Sequence, residues 1–147
     1  MDRPQPLPAS AFAHFTGIST RWIDNDAYGH INNVVYYEFF DTAVNSYLIA
    51  QGVLDIANGK VIGLVVETHC NYFSAIAYPD VVRAGLRVAH LGNSSVRYEV
   101  GIFRGREDTA AAQGHFVHVY VDRDTRHPVE LGASMKKSLA VLVNQRD

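Results

Sequence analysis

The sequence predicts an α+β domain in which one long helix near the N-terminus lies against a curled antiparallel sheet of about five strands. Three observations carry this. From Asn33 to Gln51 apolar residues recur at helical spacing, and after Lys60 nearly every segment reads as strand until close to the end. Those strand-like segments follow one another through short turns containing Gly, Asn or Asp, the connection expected between antiparallel neighbours. Strand, long helix, then a run of strands is an α+β order rather than an alternating one. A chain of 147 residues suits one domain with one core. The expected division is an extended arm over residues 1–14 and a single domain over residues 15–147.

Pro4, Pro6 and Pro8 make the first segment an extended arm. Residues 15–23, "FTGISTRWI", read as a first strand ending at an acidic turn. In the next segment Tyr36, Phe40, Val44, Tyr47 and Leu48 form one stripe, and Glu38, Asp41 and Asn45 a polar one. Asn32 or Asn33 suits its N-cap and Gly52 its stop, giving a helix of about five turns at ~3.6 residues per turn. "VIGLVVETHCNYF" is rich in β-branched residues and stops before the Tyr78-Pro79-Asp80 turn. "DVVRAGLRVAHLG", "VRYEVGIFRG" and "AAAQGHFVHVYVDRD" complete the strands, and "ASMKKSLAVLV" reads as a short terminal helix. An open sheet of this kind leaves strand edges to be paired, so a homodimer, or a homotetramer built from it, is expected.

Composition narrows the function classes. Apolar residues make up 48% and charged residues 19%, a globular balance, and a formal net charge of −2 argues against nucleic acid or an anionic membrane as partner. No stretch is long enough to span a bilayer and the N-terminus lacks a signal-peptide core, so a cytoplasmic protein is expected. Cys70 stands alone, so no intrachain disulfide forms. There are seven histidines, but His115 and His118 are three apart on a strand and face opposite ways, and no helical His-x-x-x-His pair exists; no metal is expected.

The densest chemistry sits between the first strand and the helix: "DNDAYGHINN", residues 24–33, holds two acids, a Gly, a His and two Asn. Asx residues before a helix are ordinary caps and turn formers, and that reading suffices for Asp24, Asn25, Asn32 and the side chain of Asn33. The longer stretch "RWIDNDAYGHINNVVYYEFFD" resembles the signature of the hotdog-fold acyl-CoA thioesterases of the 4-hydroxybenzoyl-CoA thioesterase type, in which an Asp-x-Asp-x-x-Gly turn precedes an aromatic-rich central helix. The "GHINN" form is most similar to the bacterial long-chain acyl-CoA thioesterase branch. "VVETHCNYFSAIAYPD" and "HVYVDRDTRHPVEL" are similar to that family's second strand and last strand, so the likeness spans residues 15 to about 131. The chain departs from many relatives at Ala75, where they have Pro, and near Val44 and Asn45, where they carry Arg.

The resemblance implies a hotdog fold, an acyl-CoA substrate and Asp26 as the catalytic carboxylate, either nucleophile or general base. The chemistry fits. A thiolate leaving group, with a conjugate-acid pKa of about 8.5 if judged by cysteine, departs without strong acid help. A carboxylate aimed at the carbonyl carbon and donors aimed at the oxyanion then suffice, and a helix N-terminus supplies such donors. The backbone N–H near Asn33 would polarise the carbonyl, Gly29 would let the chain turn closely past the substrate, and His30 would orient Asp26 or bond to backbone. No cofactor is needed beyond the CoA of the substrate.

Two other carboxylates compete. Glu67 could line the cleft but suits a solvent-facing strand position, and Glu38 lies on the polar stripe of the helix. Arg83, Arg87, Arg104, Arg106, Lys136 and Lys137 are candidates for CoA phosphates, each equally explained as surface. A hotdog hydratase would place an Asp and a His five positions apart, whereas Asp26 and His30 are four apart and Asp24 and His30 six. A non-catalytic acyl-CoA or acyl-carrier binding module is the remaining alternative.

Overall fold

The computed structural model describes residues 3–143, so the first two residues of the expected arm and residues 144–147 of the expected domain lie outside it. The elements run β1 (His14–Ser19), α1 (Asn33–Ala50), β2 (Val61–Tyr72), β3 (Val81–Leu91), β4 (Ser95–Arg104), β5 (Ala112–Asp122) and α2 (Ala133–Ala140). The five strands form one antiparallel sheet in the order β1-β3-β4-β5-β2, which curls round α1 in the hotdog arrangement. The two edges are therefore β1, six residues long, and β2, twelve.

Alternation along the strands decides which side chains meet the helix. Val82, Ala84, Leu86 and Val88 of β3 and Val96, Tyr98, Val100 and Ile102 of β4 point inward, against Tyr36, Phe39, Phe40, Val44, Tyr47 and Leu48 of α1. Phe116, His118 and Tyr120 of β5 extend this layer, which places His118 in the core at 3% exposed, while His115 faces outward. The two histidines thus lie on opposite faces, as their spacing requires.

One expectation is corrected, the bounds of the first strand. β1 ends at Ser19, not at residue 23: Thr20 bonds through its hydroxyl to the Asp80 carbonyl, and Trp22–Asp24 wind into one 3-10 turn closed by the Asp24 carboxylate on the Arg21 N–H at 2.8 Å. The strand already begins at His14, and before it lies the arm. It crosses the outer face of the sheet, where Leu7 N–H donates to Gln113 Oε1 at 2.8 Å and the Gln113 amide donates back to the Gln5 carbonyl at 2.9 Å. Phe12 fills a groove over Gly85 and Gly101, paired residues of β3 and β4, and joins Phe103 and Ala110 in a second small core.

Candidate active site

The loop between β1 and α1 builds the site from its own polar groups. Asp24, 2% exposed, is consumed by structure: its carboxylate takes the Arg21 backbone N–H and the Arg21 Nε–H at 2.9 Å, and its carbonyl takes the Asn32 N–H at 2.9 Å. Asn25 bridges to Ile31 and accepts the Tyr78 N–H at 3.0 Å, pinning the loop to the turn before β3. Both are turn residues with structural duties. Asp26 follows on the returning stem, its N–H donating to the His30 carbonyl at 2.8 Å.

The half-buried Asp26 carboxylate accepts one hydrogen bond, from the Tyr28 N–H at 2.9 Å, and among the described residues it has no cationic partner. Gly29 closes this turn with φ +84° and donates to the Asp26 carbonyl. Nothing lies within 4 Å of where its Cβ would sit, so its left-handed backbone rather than a shortage of space calls for glycine. His30 meets Asp26 through its main-chain carbonyl; its ring makes no hydrogen bond among the described residues.

At the helix start the donors divide clearly. Asn32 is the N-cap: its side-chain oxygen takes the Val34 N–H at 3.0 Å and its carbonyl takes the Val35 N–H at 2.9 Å. The Asn33 N–H between them has no partner among the described residues, and it sits at the positive end of the helix dipole. Asn33 lines a cavity of about 310 Å³ with Ile31, Tyr36, Tyr72, Phe73, Ser74 and Ala75. Of the four predicted site residues the structure brings Asn33 into this cavity, while Asp26, Gly29 and His30 occupy the adjoining loop.

Burial holds the phenol and thiol groups at this cavity un-ionised. Burial pushes the Tyr36 phenol up to about 12 and the Cys70 thiol behind it up to about 11, so neither serves as a nucleophile near neutral pH. The rival carboxylates lie elsewhere and are engaged. Glu38 pairs with Arg21 at 2.6 Å on the exposed flank of α1, and Arg21 has its own pKa raised by the hydrogen bond and charge of Asp24 and then by Glu38. Glu67 follows a bulge in β2 and accepts from His115 Nε2 at 2.5 Å on the outer face, away from the helix.

That outer face carries a second cavity, of about 380 Å³, between the arm and the sheet. Its polar groups are spent on one another: Arg97 on His115, Arg87 on Glu99, His69 on Asn71. Of the basic candidates, Arg83 bonds the Gly105 and Glu107 carbonyls, Arg104 pairs with Glu107 and Lys136 with Glu130, whereas Arg106 and Lys137 are exposed.

Sequence reasoning missed Tyr72 as a site residue. It lines the cavity and its hydroxyl donates to the Asn33 carbonyl at 3.1 Å, a contact between residues 39 apart that no local pattern encodes.

Comparison with known proteins fits this geometry. The PA5185 protein of Pseudomonas aeruginosa strain PAO1 is 51% identical in sequence and superimposes with a TM-score of 0.94, over 97% of this chain and 99% of that one. The DHNA-CoA thioesterase of Staphylococcus aureus is 25% identical, with a TM-score of 0.72 over 80% of this chain and 79% of its own. The uncharacterized protein YsmA of Bacillus subtilis is 22% identical over 139 residues, covering 95% of this chain and 93% of YsmA. The profile of the thioesterase-like superfamily matches residues 20–139, and the chain belongs to that superfamily.

Proposed function

We propose that the protein is an acyl-CoA thioesterase of the 4-hydroxybenzoyl-CoA thioesterase type, hydrolysing an acyl-CoA to the free acid and CoA. The observation that carries this is the Asn33 N–H at a helix N-terminus, without a partner among the described residues, on a residue that lines an aromatic-walled cavity one loop away from a carboxylate with no cationic partner among those residues. The thioester carbonyl oxygen accepts from the Asn33 N–H, and the donor bond and helix dipole stabilise the charge that develops on it. Asp26 then either attacks the carbonyl carbon, expelling the CoA thiolate and leaving an anhydride for water to open, or takes a proton from the water that attacks. Each route consumes one water and yields acid and thiol, and neither calls for a cofactor.

The active unit is a homodimer. The cavity's strand wall is the end of β2, a sheet edge, so a second subunit pairing there would close the cavity from the open side.

Thiol release from a panel of CoA thioesters, from acetyl through palmitoyl to benzoyl and naphthoyl, tests the reading. Asp26→Asn should lower turnover at least ~100-fold with KM little changed, the signature of lost transition-state stabilisation. Its side-chain oxygen still accepts the Tyr28 N–H, and Asn serves in such turns about as well as Asp, so a merely structural Asp26 would leave turnover intact. Glu67→Gln and Glu38→Gln should keep most activity. Tight acyl-CoA binding without thiol release would instead identify a binding module.

A further inference from the structure

We propose that Tyr72 is the positioning residue of this site: by holding the Asn33 carbonyl it sets where the helix start, and with it the Asn33 N–H, sits against the β2 wall. The inference rests on the thioesterase reading and adds the group that sets the carbonyl-polarising donor. The cavity has two walls from distant parts of the chain. Ile31, Asn33 and Tyr36 belong to the start of α1; Tyr72, Phe73, Ser74 and Ala75 belong to the end of β2 and the turn after it. The Tyr72 Oη–H···O bond to Asn33, 3.1 Å long, ties one wall to the other.

The Asn33 N–H shares its peptide plane with the Asn32 carbonyl, which the Val35 N–H holds at 2.9 Å, and the remaining restraints act on neighbouring residues. Ile31 N–H donates to the Ile76 carbonyl at 2.7 Å, Asn32 N–H to Asp24, and Val34 N–H to the Asn32 side chain. Outside the helix's own ladder, Tyr72 alone among the described residues bonds a backbone group of Asn33 itself. A carbonyl has two lone pairs, so the phenol bonds it without displacing the helical bond. Burial and the neighbouring Cys70 and Tyr37 raise the Tyr72 pKa, which keeps the phenol a donor across the working pH range.

A partly exposed hydrogen bond of this kind contributes little to the stability of a fold. Its consequence is geometric. Oxyanion donors act through their aim, and a misplacement of about 1 Å costs on the order of 100-fold in rate. Tyr72→Phe removes the tie while keeping the ring that packs edge-to-face on Tyr36 at 5.0 Å.

The test uses the full-length chain and whichever CoA thioester of the panel it hydrolyses fastest. Tyr72→Phe should lower kcat at least ~10-fold, move KM by less than ~3-fold and leave the thermal midpoint within a few degrees. The same thioester, labelled with 13C at its carbonyl, would be bound to Asp26→Asn, which turns it over at least ~100-fold more slowly, and its carbonyl stretch recorded by infrared difference before hydrolysis. Adding Tyr72→Phe should move that stretch back towards its frequency in water. A wild-type kcat in Tyr72→Phe, a kcat loss matched by a fallen thermal midpoint, or an unmoved carbonyl stretch would each overturn the positioning role. Absence of thiol release by the wild-type chain would overturn the thioesterase reading, and this inference with it.

Discussion

Asp24 and Asp26 lie two positions apart and meet opposite fates, and the difference is set by one side chain. Arg21 folds back onto Asp24 with two hydrogen bonds, so that buried carboxylate is paired, while the Asp26 carboxylate accepts only the Tyr28 N–H and has no cationic partner among the described residues. The motif marks the junction in the sequence, and its order singles out Asp26; the pairing of Asp24 with Arg21 is legible only once the 3-10 turn is seen. His118 makes a second residue-scale point. Alternation foretells that it faces away from His115 but not that it enters the core, where its Nδ1 is 3.4 Å from the Tyr120 hydroxyl and its Nε2 has no partner among the described residues. Burial lowers its pKa from 6.5 to about 4. The folded state therefore resists a proton that the unfolded state takes up below pH ~6.5. The stability associated with the neutral ring is present above that pH and is lost as pH falls towards 4, by up to about 3 kcal/mol. Urea midpoints at pH 7 and pH 4.5 should converge markedly in His118→Leu relative to wild type; equal pH sensitivity in the two would remove His118 as the cause.

At the scale of elements, the helix and four of the five strands were legible because each rests on a local period. The helix runs Asn33–Ala50 against an expectation of residues 33–51, with Asn32 as cap and Gly52 at φ +73° as stop. What failed depends on contacts distant in the chain. Prolines say that the arm is extended; they do not say that it lies on the sheet, which is decided by Gly85 and Gly101 meeting side by side some 70 to 90 positions away. A Cβ on Gly101 would sit 2.6 Å from the Phe12 ring, so groove and ring are complementary. Phe12→Ala should destabilise the fold by about 3 kcal/mol, the usual cost of deleting a buried ring, and Gly101→Ala by about 1–3 kcal/mol through overpacking. The double variant should cost clearly less than the two together, because the added methyl meets no ring once Phe12 is truncated. Additive costs in denaturant titrations would show that the arm and the groove are independent.

For the whole molecule, the sheet order leaves β2 as the long edge, and the composition of that edge is unlike a protected one. Val61, Val65 and Val66 are all exposed, Val66 at 59%, and Glu67 is the only charged residue between Val61 and Tyr72. Natural edges left open to solvent are shortened, charged or covered. The same strand ends in Tyr72 at the cavity wall, so whatever pairs with β2 also stands beside the site. In the proposed dimer assembly and catalysis would be coupled: a partner strand would both satisfy the edge and shut the cavity against water, which would strengthen the donor bond to the thioester oxygen. Val66→Lys puts a charge at the bulge of this edge without touching the inward-facing core. It should convert the dimer to a monomer in sedimentation velocity and lower thiol release at least ~10-fold. Circular dichroism should still report a folded chain, since the sheet's own pairings are untouched. A variant that sediments as a dimer would place the interface on another face, and a wild-type monomer with full turnover would separate assembly from catalysis altogether.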